Sequence, residues 1–281
     1  MREISSEKIA QTVERLFLEA SYVLPPDVMS QIGSAIEKEQ NSVARSVLKS
    51  IIENAELAAE GIYPLCQDCG MAVVFADVGQ EAAISGQSLE EAVNEGVRRA
   101  YEKGYLRKSI VEDPLFERKN TGDNTPALLR VRVVPGDKVK ITAAPKGAGS
   151  ENMSALAMLS PADGVEGVER FVLDTINRAG PNPCPPIVVG IGIGSNFEGA
   201  AELAKRALLR GADEKSGHPL YAALEERLLE RINRLGIGAA GYGGTITALG
   251  VKVEWEPTHI ASLPVAVNIC CHANRHCSAE I

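Results

Sequence analysis

The stretch Pro185-Pro186-Ile187-Val188-Val189-Gly190-Ile191-Gly192-Ile193-Gly194, followed by Ser195 and Glu198, decides how this chain folds. An apolar run this short, rich in β-branched residues and bounded by Pro and Gly, reads as a strand buried on both faces. Ser195 with Glu198 three residues later forms a capping-box pattern, so a helix should start there and run to about Arg210. The glycines imitate a dinucleotide fingerprint, but G-x-G-x-x-G fails in both registers: Ser195 takes the third place in one and Phe197 in the other. They read instead as places where strand and helix approach closely.

Upstream, residues 5–60 read as helices, with Leu16, Leu18 and Ala20 in one apolar segment and Val43, Val47, Leu48, Ile51 and Ile52 at helical spacing. Pro25-Pro26-Asp27 reads as a loop with a helix N-cap. Met71 to Phe75 reads as a strand and Leu89 to Lys103 as a helix ending at Gly104. Strand signals at Ala127–Val134 and Lys138–Ala144 flank Pro135-Gly136-Asp137, and Lys146 to Asn152 reads as a loop of glycine and small polar residues. Val165 to Arg178 is expected helical, as is Leu220 to Leu235, with a strand at Ile246 to Trp255. The pattern is that of a mixed α/β (α+β) chain: mixed β-sheets flanked by helices, behind a helical N-terminal region. With no repeat and no linker, residues 1–281 read as a single domain.

Composition narrows the function. The chain has 281 residues, 45% of them hydrophobic, which suffices for a sizeable and mostly aliphatic core. A formal charge of −8 disfavours nucleic acid, since phosphate binding needs a concentrated basic surface. An anionic small substrate stays compatible through a local basic site. No apolar run reaches the roughly 18–20 residues that span a bilayer, and Met1 to Lys8 lacks the apolar core of a secretory signal. A cytoplasmic location is expected, where thiols stay reduced and six cysteines suit metal ligation better than disulfides. Residues 270–281 crowd Cys and His near the terminus, and because unanchored termini fray, a partner chain is expected there.

The cysteines allow three chemistries. Cys66-Gln67-Asp68-Cys69 is formally C-x-x-C, but it precedes a strand, and Asp68 would raise thiol pKa values rather than lower them, against a redox dithiol. Cys270, Cys271, His272, His276 and Cys277 offer a tetrahedral zinc set, although adjacent cysteines seldom both reach one metal. Cys66 after Pro64, Cys184 between prolines and Cys271 in the tail are three thiols from distant loops that could hold a cluster with one open iron. Spacing alone leaves these alternatives open.

The segments Pro64-Leu65-Cys66-Gln67-Asp68, Lys119-Asn120-Thr121-Gly122, Lys146-Gly147-Ala148-Gly149-Ser150, Cys184-Pro185-Pro186 and Pro257-Thr258-His259 follow one another along the chain. In that order they resemble the successive motifs of class I (iron–sulfur) fumarate hydratases, in the form of the α subunit of a two-subunit enzyme. The related L-tartrate dehydratase α subunit shares several of them. The resemblance implies a [4Fe–4S] cluster ligated by Cys66, Cys184 and Cys271, the last preferred to Cys270 by its distance from the His259 motif and from Arg275. Cys69 stands where the family usually has Thr, and Cys277 has no counterpart.

The same resemblance implies catalytic roles for Asp68 and His259 and substrate contacts for Gln67, Arg107, Gly149 and Lys119. Each residue has a plainer reading: a helix C-terminal charge for Arg107, an N-cap for Asp68, turn residues for Gln67 and Gly149, a satisfied histidine for His259, a solvated loop charge for Lys119. The implied reaction is reversible hydration of fumarate to L-malate, a step of the tricarboxylic acid cycle. Implied partners are a small dicarboxylate and a β subunit, in an α2β2-type assembly, with neither nucleic acid nor membrane. The chain alone is then expected to hold a cluster with little activity. An expectation of another class is a zinc-stabilised binding or assembly protein, which would need neither Cys66 nor Cys184.

Overall fold

In the structure, a computed structural model that describes all 281 residues, the glycine-rich strand forms as Ile187–Ser195 and its helix as Phe197–Ala207. The helix cap differs from expectation. Gly194 (φ 94°) and Ser195 (φ 56°) turn the chain left-handed at the strand end, so the capping position falls on Asn196, whose side chain accepts the Gly199 N–H at 2.8 Å.

The strand shows why it must be buried on both sides. Ile187, Val189, Ile191 and Ile193 join a core with Val168, Val172, Leu228 and Ile232 from the helices Gly164–Ala179 and Pro219–Asn233. On the opposite face a Cβ at Gly190 would collide with the Ala204 carbonyl oxygen, and one at Gly192 with that of Ala200. The Ala-rich helix Phe197–Ala207 therefore lies closer to the sheet than any side chain at those positions would allow. The glycines serve strand–helix packing, as their spacing predicts.

This strand is central in a mixed sheet of order Ala155–Leu159, Leu263–Cys270, Ile187–Ser195, Ala248–Thr258. It pairs antiparallel with Leu263–Cys270 and parallel with Ala248–Thr258. The sheet belongs to one of two compact units, comprising Pro26–Asn54 and Gly149–Asn274. Within this unit the helix Pro26–Lys38 begins at Pro26, so Asp27 stands in the first turn rather than before it, and its carboxylate accepts the Ala212 N–H at 2.6 Å.

The other unit comprises Met1–Pro25, Ala55–Ala148 and Arg275–Ile281. Its sheet runs Cys277–Glu280, Val139–Lys146, Met71–Gly79, Leu128–Val134, with only the last pair parallel. The strands flanking Pro135-Gly136-Asp137 are thus not neighbours, because Met71–Gly79 lies between them. The helices Ser6–Tyr22 and Leu89–Lys103 supply Ile9, Val13, Leu16, Phe17, Val93, Val97 and Tyr101 to a core shared with Val74 and Ile141 of the sheet. The second helix carries a complete Ser88/Glu91 capping box and ends at Gly104.

Two further expectations change. The segment Lys146–Asn152 is not a plain loop: Lys146 closes a strand and Ala148–Glu151 forms one helical turn. The C-terminal tail does not hang free of its unit, since Cys277–Glu280 pairs with Lys140–Ala143 as an edge strand. No helix is long and apolar enough to cross a membrane.

The chain passes between the two units after residues 25, 54, 148 and 274, so neither unit is a continuous segment, and we propose that residues 1–281 fold as a single domain. Unfolding followed by far-UV circular dichroism and by fluorescence of the lone Trp255 should coincide in one transition. Two separated transitions would contradict this. Gly192→Ala should cost about 1–3 kcal/mol or more in urea unfolding, because the new methyl meets backbone; an unchanged midpoint would show that the helix yields freely.

Candidate functional site

The loop Cys66-Gln67-Asp68-Cys69-Gly70 is held from several directions within its unit. Leu65, just before it, is buried, and its N–H donates to the Ser21 carbonyl at 2.9 Å. Gly70 (φ 74°) closes the loop where a Cβ would meet the Lys146 backbone at 2.6 Å, so only glycine fits. The fully buried Tyr101 hydroxyl donates to the Cys69 carbonyl at 2.8 Å, and burial pushes its pKa well above the ordinary phenol range. Asn124, also fully buried, donates to the Gly70 carbonyl at 3.2 Å and accepts the Ser109 N–H at 2.7 Å.

Asp68 is the hub of this loop. One carboxylate oxygen accepts the Gly70 N–H at 3.0 Å and the other the Ala148 N–H at 2.8 Å, while its own carbonyl receives Arg275 Nη2 at 2.7 Å. The Asp68 N–H in turn points to Cys66 Sγ at 3.4 Å. Gln67 is left exposed on the fixed loop. Cys69 is buried, and its sulfur accepts the Arg107 N–H at 3.1 Å, which ties the backbone of the exposed Arg107 to the cysteine loop. Burial pushes the Cys69 thiol up, so it stays protonated at neutral pH. Lys119 stands well out in solvent, 4.0 Å from Glu112.

In the other unit, Cys184 is exposed and adopts φ 53° just before the strand Ile187–Ser195. Its carbonyl is 3.1 Å from Nδ1 of His272. Gly149 belongs to the same neighbourhood, since a Cβ there would stand 3.7 Å from the Asn182 carbonyl oxygen. Val188 pairs with Cys270, so Cys184 and Cys271 both lie at the N-terminal end of that strand. Cys270 packs inward against Val188 and Leu208, which leaves Cys271 as the less buried of the adjacent pair.

His259 lies at the opposite end. The parallel register runs from Ile187 beside Ala248 to Ser195 beside Thr258, about 26 Å of strand at ~3.3 Å per residue. There His259 lines an apolar cleft of about 360 Å³ with Val165, Ile193, Tyr221 and Leu263. Its Nδ1 accepts the Ala261 N–H at 3.1 Å, so the neutral ring carries its proton on Nε2.

The family model described as Fumarate hydratase (Fumerase) matches residues 10–280. The chain belongs to the fumarate hydratase family. Within this family of hydro-lyases it is 46% identical, over 98% of both chains, to a Methanocaldococcus jannaschii protein named "Putative L(+)-tartrate dehydratase subunit alpha". It is 33% identical to the L(+)-tartrate dehydratase subunit alpha of Escherichia coli O157:H7 and 32% identical to that of Escherichia coli K12, over 95% of this chain and 89% of each relative.

For a fumarate hydratase family chain, the structure sorts the candidates by unit. Cys66, Gln67, Asp68, Arg107 and Lys119 belong to one unit, and Gly149, Cys184, Cys271 and His259 to the other. No group of three or more His, Cys, Asp or Glu side chains is placed to hold a single metal ion. Of the tail set envisaged for zinc, Cys270 is buried beside Val188 and Leu208, and Cys277 is partly buried against the core of its own unit. Two residues escape sequence reasoning, Tyr101 and Asn124, while His272 is read there only as a zinc candidate and Arg275 only as a landmark for Cys271. Tyr101 looks like one more apolar helix position, and Arg275 like a tail charge. Only the left-handed Asn124 before Thr125-Pro126 carries a local signal.

Cys69→Ala leaves the Arg107 N–H without its acceptor and should lower stability by about 1–3 kcal/mol, whereas Cys69→Ser, which keeps an acceptor, should lose less. Equal midpoints for all three proteins would contradict the tether. Burial, and then the nearby Glu19 carboxylate, push the Cys277 thiol up to about 12. A raised folded-state value means stability present at neutral pH and lost as pH climbs from about 9 toward about 12. The urea midpoint should fall across that window, and less steeply in Cys277→Ala; an equal slope would contradict it.

Proposed function

We propose that this chain is the α subunit of a two-subunit iron–sulfur hydro-lyase that reversibly adds water across fumarate to give L-malate, with a β-type subunit completing the active site. The observation that carries the reading is the exposure of the thiols: Cys66, Cys184, Cys271 and Cys277 are partly or fully exposed, while Cys69 and Cys270 are packed away. Cys277, on the edge strand, packs against the core of its unit beside Glu19, which sets it apart from the other three. The donor set fits a [4Fe–4S] cluster, because thiolates are its protein ligands, and Cys66, Cys184 and Cys271 would hold it. When bound with three protein ligands, such a cluster supplies one open iron as a Lewis acid for substrate oxygens. Six cysteines without a disulfide suit a reducing compartment, and we assign the protein to the cytoplasm.

The chain's own residues then bind and orient the dicarboxylate. Arg107 grips one carboxylate with parallel N–H donors. Gln67 donates its amide N–H to a carboxylate or hydroxyl oxygen, and Gly149 offers a backbone N–H with no side chain in the way. Lys119 adds positive charge at long reach. Hydration joins hydroxide to one alkene carbon and a proton to the other. In reverse, a base supplied with the β-type subunit takes the C3 proton of malate as negative charge moves into the adjacent carboxylate, and the fixed donors stabilise that aci-anion. The C2 hydroxyl then leaves with a proton as water to restore the alkene. Asp68, with both oxygens engaged by backbone N–H groups, holds this loop in place.

His259 donates from Nε2 to a substrate oxygen. One sheet cannot bring it and Cys184 to the same small molecule, because about 26 Å of strand separates them at ~3.3 Å per residue. A second copy of this chain supplies it, which supports an α2β2-type assembly. A second reading of the substrate, dehydration of L(+)-tartrate, is favoured by the names of the relatives at 46% and 33% identity.

The test is an oxygen-free assay of the chain with and without its β-type partner on fumarate, malate and tartrate. Fumarate–malate interconversion by the pair, little activity from the chain alone, and a loss of 100-fold or more in Arg107→Ala, on the order expected for a group that stabilises developing charge, are the expected results. Turnover of tartrate alone would move the assignment to the second reading, and full activity without a partner would overturn the subunit proposal.

A further inference from the structure

Arg275 is a buried side chain whose charge neither the fold nor the proposed reaction uses. It is only 4% exposed. Nη2 donates to the Asp68 carbonyl at 2.7 Å, while Nη1 is buried with no hydrogen-bond partner. The Asp68 carboxylate is engaged by Gly70 and Ala148. Cys69 and Tyr101 lie within the field of Arg275, but burial keeps both neutral. A guanidinium withdrawn from water with one carbonyl partner and an idle N–H is costly unless a negative charge stands nearby. The chain's own side chains supply no ion pair to it.

We propose that Arg275 is a positioning residue for the iron–sulfur group: it fixes the Cys66–Gly70 loop through the Asp68 carbonyl and supplies the buried countercharge for the anion assembled on Cys66. The inference rests on the cluster reading given above. Water does not reach Nη1, so a dicarboxylate that arrives and leaves through solvent would not reach it either. A resident anion feels the charge across a poorly screening interior. Arg275 therefore acts on the cluster rather than on substrate.

The experiment uses the full chain, loaded with iron and sulfide without oxygen, as wild type, Arg275→Gln, Arg275→Lys and Cys66→Ser. Iron and sulfide content, the one-electron reduction potential and the rate of iron loss in air are measured. Removing the charge favours the more oxidised cluster, so Arg275→Gln should shift the potential negative and lose iron several-fold faster. Arg275→Lys should keep the wild-type potential. A loaded Arg275→Gln protein with wild-type potential and iron loss would overturn the proposal. If Arg275→Gln does not fold, Arg275→Lys decides: a retained potential supports the charge role, and a displaced one refutes it. A wild-type chain that takes up no iron and sulfide, or a Cys66→Ser chain that loads and behaves as wild type, would instead defeat the cluster reading on which this inference stands.

Discussion

The close approach of the helix Phe197–Ala207 to the glycine face of the strand Ile187–Ser195 is the contact on which its unit depends. Because Gly190 and Gly192 carry no Cβ, small helix residues cover one face while Ile187, Val189, Ile191 and Ile193 drive the other into the core. That double burial makes the strand central, and its position sets the ends of the sheet. Cys184 precedes the strand and Cys270-Cys271 ends its antiparallel neighbour. One packing constraint therefore puts two thiol-bearing segments at the same edge and sends His259 to the opposite one.

The second unit solves a different problem. Its cysteine loop has no regular structure to hold it, so the backbone groups are satisfied by borrowed partners: the Tyr101 hydroxyl, the Asn124 amide, the Asp68 carboxylate and the Arg275 guanidinium. Buried polar groups of this kind stabilise only when matched. Such a loop is rigid where its main chain is anchored, yet it leaves Gln67 and Arg107 exposed. Preorganised donors with solvent-facing tips are what binding a small dianion asks of a scaffold.

What could be read from the sequence is what local patterning encodes. The helix Leu89–Lys103 ends at Gly104 as expected, and the central strand is found where its apolar run places it. The cap at Asn196 was displaced from Ser195 because two left-handed residues, rather than a motif, set the turn. Sheet order was not legible: nothing near Pro135-Gly136-Asp137 reveals that Met71–Gly79 inserts between the flanking strands. Nor does the tail's composition show that it docks as an edge strand. Of the candidate site, Cys270 is buried as the last residue of a strand covered on both faces and Cys271 is less buried just beyond it, a contrast that, like the burial of Arg275, is a tertiary fact without a local trace.

The central claim is that three thiols of this chain hold one iron–sulfur cluster. Metal and sulfide analysis of the chain purified without oxygen, beside Cys66→Ser, Cys184→Ser and Cys271→Ser, tests it most directly. About four irons and four sulfides per wild-type chain, with each single substitution reducing both, is the predicted result. Stoichiometric zinc without sulfide, unaffected by replacing Cys66 or Cys184, would contradict it.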